Sequence, residues 1–206
     1  MRNIPFDISG LEDSEVETLL QTYRQLRLKF LVAFGRGGGL HFKKYNLFKE
    51  YSHITSKEGI EITHHDFKCY LHVFHVEYTW IGAKGARHKT LENQYYGVVR
   101  LNKEFGHVFI RRERISDKIH EIFKPIEVDF ENDDEFCRKF YVVAEDSDKA
   151  KSAIDTKFRK AVLELNVDNI FIEIVRNQLV IGSKTIMSTH NAIEFVKFME
   201  AISEMN

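Results

Sequence analysis

Few of the residues that commit a chain to a special class are present here. Two cysteines, Cys69 and Cys137, are too few for a disulfide framework, and reduced thiols in a cytosolic setting are expected. No Pro-, Ser- or Gln-rich tract, internal repeat or linker forces a domain cut, and only 2 prolines occur. The longest apolar run, "FLVAF" at Phe30 to Phe34, falls far short of the ~18 residues a spanning helix needs. Met1 to Gly10 has no basic start followed by an apolar run, so no signal peptide is expected. The net charge is −1, which leaves no global field to draw in nucleic acid, and no such partner is expected. What remains is an ordinary globular composition, 43% hydrophobic and 30% charged over 206 residues, enough for a real core without staples.

The periodicity predicts a helix over 11–34. Ser14 is the candidate N-cap with Glu17 as its capping-box partner, and Val16, Leu19, Leu20, Tyr23, Leu26, Phe30 and Phe34 recur at helical spacing. "GRGGG" at Gly35 to Gly39 then reads as a flexible joint. A β-rich region follows over 47–112, with strands at "GIEIT", Phe67 to Ile81, "LENQYYGVVRL" and "GHVFIRRE". The "GAKGARHK" stretch from Gly82 is the loop of a long hairpin. After Pro125, "IEVDFE" and "FYVVAE" read as strands around an acidic "ENDDEF" turn. Asp146 or Ser147 caps a helix whose apolar face is Ala150, Ile154, Phe158, Val162 and Leu165. "IFIEIVRNQLVIGS" is a hairpin turning near Arg176–Asn177, and Thr189 starts a last helix with Ile193, Val196, Met199 and Ile202 inward.

The stretch with most chemistry in it is "HHDFKCYLHVFH", four histidines and Cys69 within residues 64–75. On a strand, His72 and His75 point to opposite faces, because side chains alternate with period 2. Cys69 and His75 share a face but lie about 20 Å apart at ~3.3 Å per residue. Neither pair holds one zinc ion, whose ligands sit ~2.0–2.3 Å from the metal. The stretch is therefore read as a strand carrying histidines, with no metal. "GRGGG" fails as a phosphate loop: a helix precedes it, and no Gly-Lys-Ser/Thr follows. No Gly-x-Ser-x-Gly elbow or calcium-loop spacing occurs, so no catalytic residue and no cofactor is assigned.

Charge patterning says more. From Arg24 to Lys44 there are six basic residues (Arg24, Arg27, Lys29, Arg36, Lys43, Lys44) and no acidic one. They interleave with Leu26, Leu28, Phe30, Leu31, Val32, Phe34, Leu40 and Phe42. A basic, apolar segment suits a membrane surface or another anionic partner. Its bland alternative is a helix docked on its own domain with the basic side in water. A second basic group, Lys84, Arg87, His88 and Lys89, sits at a loop tip.

"YYGVVRLNKEFGHVFIRRE" carries Tyr95/Tyr96–Gly97, Leu101–Asn102–Lys103 and Phe105–Gly106. "VDFENDDEFCRKFYVVAEDSDKAKSAIDTKF" carries Phe130, Glu131, Glu135, Phe136, Phe140, Val142, Asp146 and Ala150. This spacing, with the closing "IFIEIVRNQLVIG", resembles the bacterial family catalogued as domain of unknown function 3137. The likeness covers about half the chain. Where the family has Glu-Ala-Arg, this chain has Lys149–Ala150–Lys151. The resemblance implies no reaction. Many members of that family carry membrane segments near the N-terminus, where this chain has its short apolar–basic stretch.

Together these readings predict one α+β domain over 1–206, with a helical arm over 11–34 and a sheet-containing body over 45–206. The body is a mostly antiparallel sheet with two helices packed on it in the C-terminal half; the structural runner-up is a pleckstrin-homology-like barrel. The expected function is a non-enzymatic interaction module in the cytoplasm, peripheral at the inner membrane. Arg24, Arg27, Lys29, Lys43 and Lys44 would meet anionic headgroups, and Phe30 and Phe34 would enter the interface. The partner would be an anionic membrane surface or a protein. The competing class is a soluble enzyme with a dispersed site.

Overall fold

Strands rich in β-branched and aromatic residues, drawn from both halves of the chain, build one large sheet. The computed structural model describes residues 6–35, 40–41, 44–82, 85–112 and 126–204. Nine strands pair antiparallel throughout: β1 (Leu31–Gly35), β2 (His53–His64), β3 (Phe67–Ile81), β4 (Arg87–Arg100), β5 (His107–Arg112), β6 (Ile126–Glu127), β7 (Phe140–Ala144), β8 (Ile170–Val175) and β9 (Gln178–Ser183). Their spatial order is β1-β2-β3-β4-β9-β8-β5-β7-β6. The α+β architecture is as expected. The barrel alternative is not, because β1 and β6 end as separate edges of an open sheet.

Alternation sorts each strand between two unequal layers. One face carries all five helices: α1 (Asp13–Leu26), α2 (Asp134–Lys139), α3 (Ser147–Ala153), α4 (Thr156–Leu163) and α5 (Thr189–Ser203). Its core joins Cys69, Leu71 and Val73 of β3 to Leu19 of α1, Phe158 of α4 and Val196 of α5. Among the described residues, the opposite face has no helix of that kind. A strap over 44–51, with a 3-10 turn at Asn46–Phe48, crosses it and covers Phe74, Tyr96, Phe109 and Phe171. Glu173 holds the strap down. Its carboxylate is fully buried and accepts the backbone N–H groups of Asn46 and Leu47 at 2.8 and 2.9 Å. It also accepts the Nε2–H of His107 at 2.6 Å.

Several expected boundaries move, each for a local reason. The first helix ends at Leu26 rather than reaching Phe34. "LVAFG" is a strand instead, because its backbone groups pair with β2 from Leu31↔Thr63 to Gly35↔Gly59. The cap is also earlier than Ser14: the helix begins at Asp13, and the Glu15 carboxylate accepts the Glu12 N–H at 2.9 Å. The acidic "ENDDEF" turn contains α2, because Asp133 accepts the Phe136 N–H and starts a helix. Of "IEVDFE", only Ile126–Glu127 pairs as strand, against β7. The single helix expected after Asp146 is two. Asp146 caps α3, accepting the Lys149 N–H, and Asp155 caps α4 anew, accepting the Phe158 N–H at 2.9 Å. Among the described residues, the C-terminal half thus has four helices where two were expected. The N-terminal helix is no free arm: Leu19 and Leu26 lie in the common core, and Thr22 bonds Thr189 of α5 at 3.1 Å.

Candidate functional site

Three of the basic residues singled out in the sequence, Arg24, Arg27 and Lys29, lie at the corner where α1 turns into β1. Arg24 lies in the last turn of α1 and Arg27 caps its C-terminus, where the helix dipole favours cations. Arg24 reaches Glu17 at 3.3 Å across open solvent, a contact of little energetic worth. Arg27 lies over the Tyr23 ring at 5.5 Å. Lys29 has a stronger partner: its Nζ is 2.6 Å from Oε2 of Glu200 on α5, while Nδ1 of His64 is 2.9 Å from Oε1. Burial pushes the Glu200 carboxyl up, but hydrogen bonds and charge from Lys29 and His64 outweigh it and hold the group below its ordinary value. Lys44 is exposed at the head of the strap, on the helix-free face and away from this corner. Lys43 and the Arg36–Gly39 stretch lie outside the described residues.

The aromatic residues are placed differently from expectation. Phe30 is half-buried, edge-on to His64 and tilted against Phe67. Phe34 stacks on Tyr23 at 4.5 Å and meets Phe6 edge-on. Both pack on the helix-side core, Phe34 from an inward-turned position of β1 and Phe30 from the residue just before it. Leu28 and Leu31 are turned outward instead, 87% and 78% exposed, the highest values among the exposed large hydrophobics. Leu31 lies in register with Thr63 and, through it, Lys68.

Lys68 and His64 also form part of the wall of a groove of about 900 Å³ at this end of the sheet, which His65, Tyr70, Val98 and Arg100 help to line. Lys68 pairs with Glu61 at 2.9 Å, whereas Arg100 makes no ion pair among the described residues. His65 sits in the tight β2–β3 turn with φ of 52°. The groove is thus half apolar and carries both signs of charge, Lys68 and Arg100 beside Asp66 and Glu204, and it is contiguous with the corner through His64 and Lys68.

The histidine-rich stretch is strand from Phe67 on, as read, with His64 ending β2 and His65 in the turn between. His72 faces the strap side, and His75 is held by Asn93 Oδ1 at 3.1 Å. Among the described residues, no three His, Cys, Asp or Glu side chains gather as a cation site. Burial pushes the Cys69 thiol well above its ordinary range, with the Glu200 charge adding to it. The groups whose proton affinity is most displaced, Tyr45, Tyr51, Tyr95, Tyr96, Cys69 and His72, are all buried and do not line the groove. Among the described residues, no helix is long and apolar enough to cross a membrane.

Fold and site together describe an open antiparallel sheet, helical on one side, with a basic and apolar corner beside a groove. No family profile and no curated protein matches the chain. Among solved structures, it is similar to the mycobacterial trehalose monomycolate transport factor A, TtfA. The likeness covers 94% of this chain and 95% of that one, with a TM-score of 0.59 at 8% identity. At that identity the likeness establishes a shared fold.

Proposed function

We propose that this chain is a non-enzymatic interaction module that rests on an anionic membrane surface through its α1–β1 corner, at the cytoplasmic face of a bacterial inner membrane. The bacterial setting rests on the resemblance to the family of domain of unknown function 3137. The observation that carries the reading is the exposure of Leu28 and Leu31 among Arg24, Arg27 and Lys29. Taking two leucines out of water is worth roughly 3–6 kcal/mol. Each cation near an anionic surface adds about 1 kcal/mol, less where Glu17 and Glu200 already neutralise it. The sum supports reversible contact rather than permanent anchorage. A solved protein of the same fold is named for the transport of trehalose monomycolate, a lipid, which agrees with a lipid-related role. The enzyme reading has less support: the groove gathers His64, His65, Lys68 and Arg100, but the groups with strongly displaced proton affinity are packed elsewhere.

The test is liposome flotation of the full chain on neutral and anionic vesicles at two salt concentrations, beside a Leu28→Ser/Leu31→Ser variant. Removing α1 would strip the core of Leu19 and Leu26, so point substitutions replace truncation. Flotation only with anionic lipid, weakened by salt and lost in the variant, is the expected result. A chain that floats on neither vesicle ends the membrane reading and turns the search to a protein partner for the same corner.

A further inference from the structure

A second feature lies at the other end of β3, roughly 40 Å from Lys68 at ~3.3 Å per residue. β2 stops pairing with β3 at His53↔Glu77, and β9 pairs with β4 only over Tyr96–Arg100. Past Glu77, β3 and β4 continue alone as a two-stranded ribbon, paired from Tyr78↔Thr90 to Ile81↔Arg87. It reaches about 13 Å past its last strand neighbour. Tyr78 still leans on Tyr51, and Thr79 on Ser52. Beyond them come Trp80 and Ile81, which are 50% and 71% exposed.

The described residues on either side of the tip are tied together by specific contacts. Trp80 stacks on His88 across the strands at 4.4 Å, and its indole N–H donates to Thr90 Oγ1 at 3.2 Å. Gly82 closes the turn, its N–H bonded to the Ala86 carbonyl at 2.8 Å. A Cβ there would sit 2.7 Å from His88 Nε2, so glycine leaves room for the stacked pair. An isolated two-stranded ribbon is marginal in water. The Trp80–His88 pair steadies it, yet half of the chain's single tryptophan still faces solvent.

Charge selects the occupant. From Tyr78 through Leu91 the sequence has no acidic residue. Arg87 makes no ion pair among the described residues, and Lys89 reaches back to Glu77 at 3.0 Å. A projecting apolar pair flanked by cations, with an indole whose polar edge is already satisfied, matches the interfacial zone of an anionic bilayer.

We propose that the β3–β4 ribbon tip is a membrane-inserting anchor, with Trp80 and Ile81 entering an anionic lipid surface and Arg87 meeting its headgroups. This rests on the membrane reading above but names a different element as the part that enters. Because Trp80 is the sole tryptophan, the full chain reports on the tip without modification. Its emission would be recorded with phosphatidylcholine vesicles with and without phosphatidylglycerol, and with brominated lipid as a depth quencher, alongside flotation. The expected result is a blue shift and quenching on the anionic vesicles only. Ile81→Ser would weaken vesicle binding roughly tenfold, the worth of one large apolar side chain kept in water. A chain that floats while Trp80 emission stays unchanged overturns the tip and leaves the corner standing. Quenching that survives Leu28→Ser/Leu31→Ser supports the tip and removes the corner. Equal quenching on neutral vesicles refutes the anionic selection, and no flotation with no shift ends both.

Discussion

His72 offers the sharpest test of the packing on the strap side. Its ring lies between Tyr70 and Phe74 along β3, with Gly59 of β2 beside it, where even a methyl group would come 3.1 Å from Nδ1. Nδ1 is buried with no hydrogen-bond partner among the described residues. Burial alone lowers the imidazole from its ordinary 6.5 to about 4. The folded state therefore refuses a proton that the unfolded chain accepts. Stability is fully present above about pH 6.5 and is lost as pH falls toward about 4, by about 3 kcal/mol in all. That is a large share of a typical domain's 5–15 kcal/mol. Urea unfolding of the wild type and of His72→Leu at a series of pH values from about 7 to about 4.5 isolates this contribution from the other histidines. Near neutral pH the leucine variant is expected to be equal or slightly more stable, since it removes an unsatisfied buried nitrogen. At about pH 5 the wild type should have lost about 2 kcal/mol that the variant keeps. Parallel pH profiles for the two proteins would show that His72 titrates like an exposed imidazole and that the strap side is not closed over it.

Two further substitutions probe how the layers are held. Glu173→Gln replaces one of two acceptor oxygens with a donor that faces donors, and should cost about 2–4 kcal/mol. Hydrogen exchange at the Asn46 and Leu47 amides should speed up before the rest of the sheet responds, and unchanged protection there would mean that the carboxylate does not hold the strap. Gly97 lies beneath α5, where a Cβ would sit 2.7 Å from Met199 Cε and 2.8 Å from Ile181 Cγ2. Gly97→Val should lower stability by about 1–3 kcal/mol, read by thermal unfolding, with Gly97→Ala milder because the methionine can turn aside. A valine variant that melts with the wild type would contradict the close approach of α5 to β4.

The parts of the fold that show in the sequence are those where one local signal acts alone. The β3 strand runs from Phe67 to Ile81 as read, the last hairpin turns at Arg176–Asn177, and α5 starts at Thr189. Arg176 itself takes a left-handed φ of 60° at that turn. The errors fall where two signals coincide. Leu26, Phe30 and Phe34 fit a helical stripe, but "LVAFG" fits an edge strand equally well, and only the pairing with β2 decides between them. Asp155 sits inside a continuing apolar period, so the period hides the cap that restarts the helix. The residues quoted for the family resemblance prove structural: Phe136, Phe140 and Val142 are core, and Asp146 is a cap. The site was half legible. The run of cations marked the corner, but Glu200, which engages Lys29 and His64, is 171 and 136 residues away in sequence, and no local pattern announces it.

Exposure by itself does not make a surface functional, since single apolar side chains are common on any protein. The chain supplies its own comparison. Ile186 is 72% exposed, as much as Ile81, but the cation two residues before it, Lys184, is paired with Glu50 at 2.8 Å. Ile126 is exposed on the short edge strand β6, where its strand neighbour is Glu127. Leu28 and Leu31, and Trp80 and Ile81, differ in coming as near neighbours, each pair with arginine beside it and at opposite ends of the longest strand. A membrane that selects by apolar area alone would count all these side chains alike. One that selects by apolar area and charge together would ignore Ile186, so Ile186→Ser should leave flotation on anionic vesicles unchanged. Loss of binding in that variant would show that general stickiness, not the placement of cations beside leucine and tryptophan, brings the protein to the lipid.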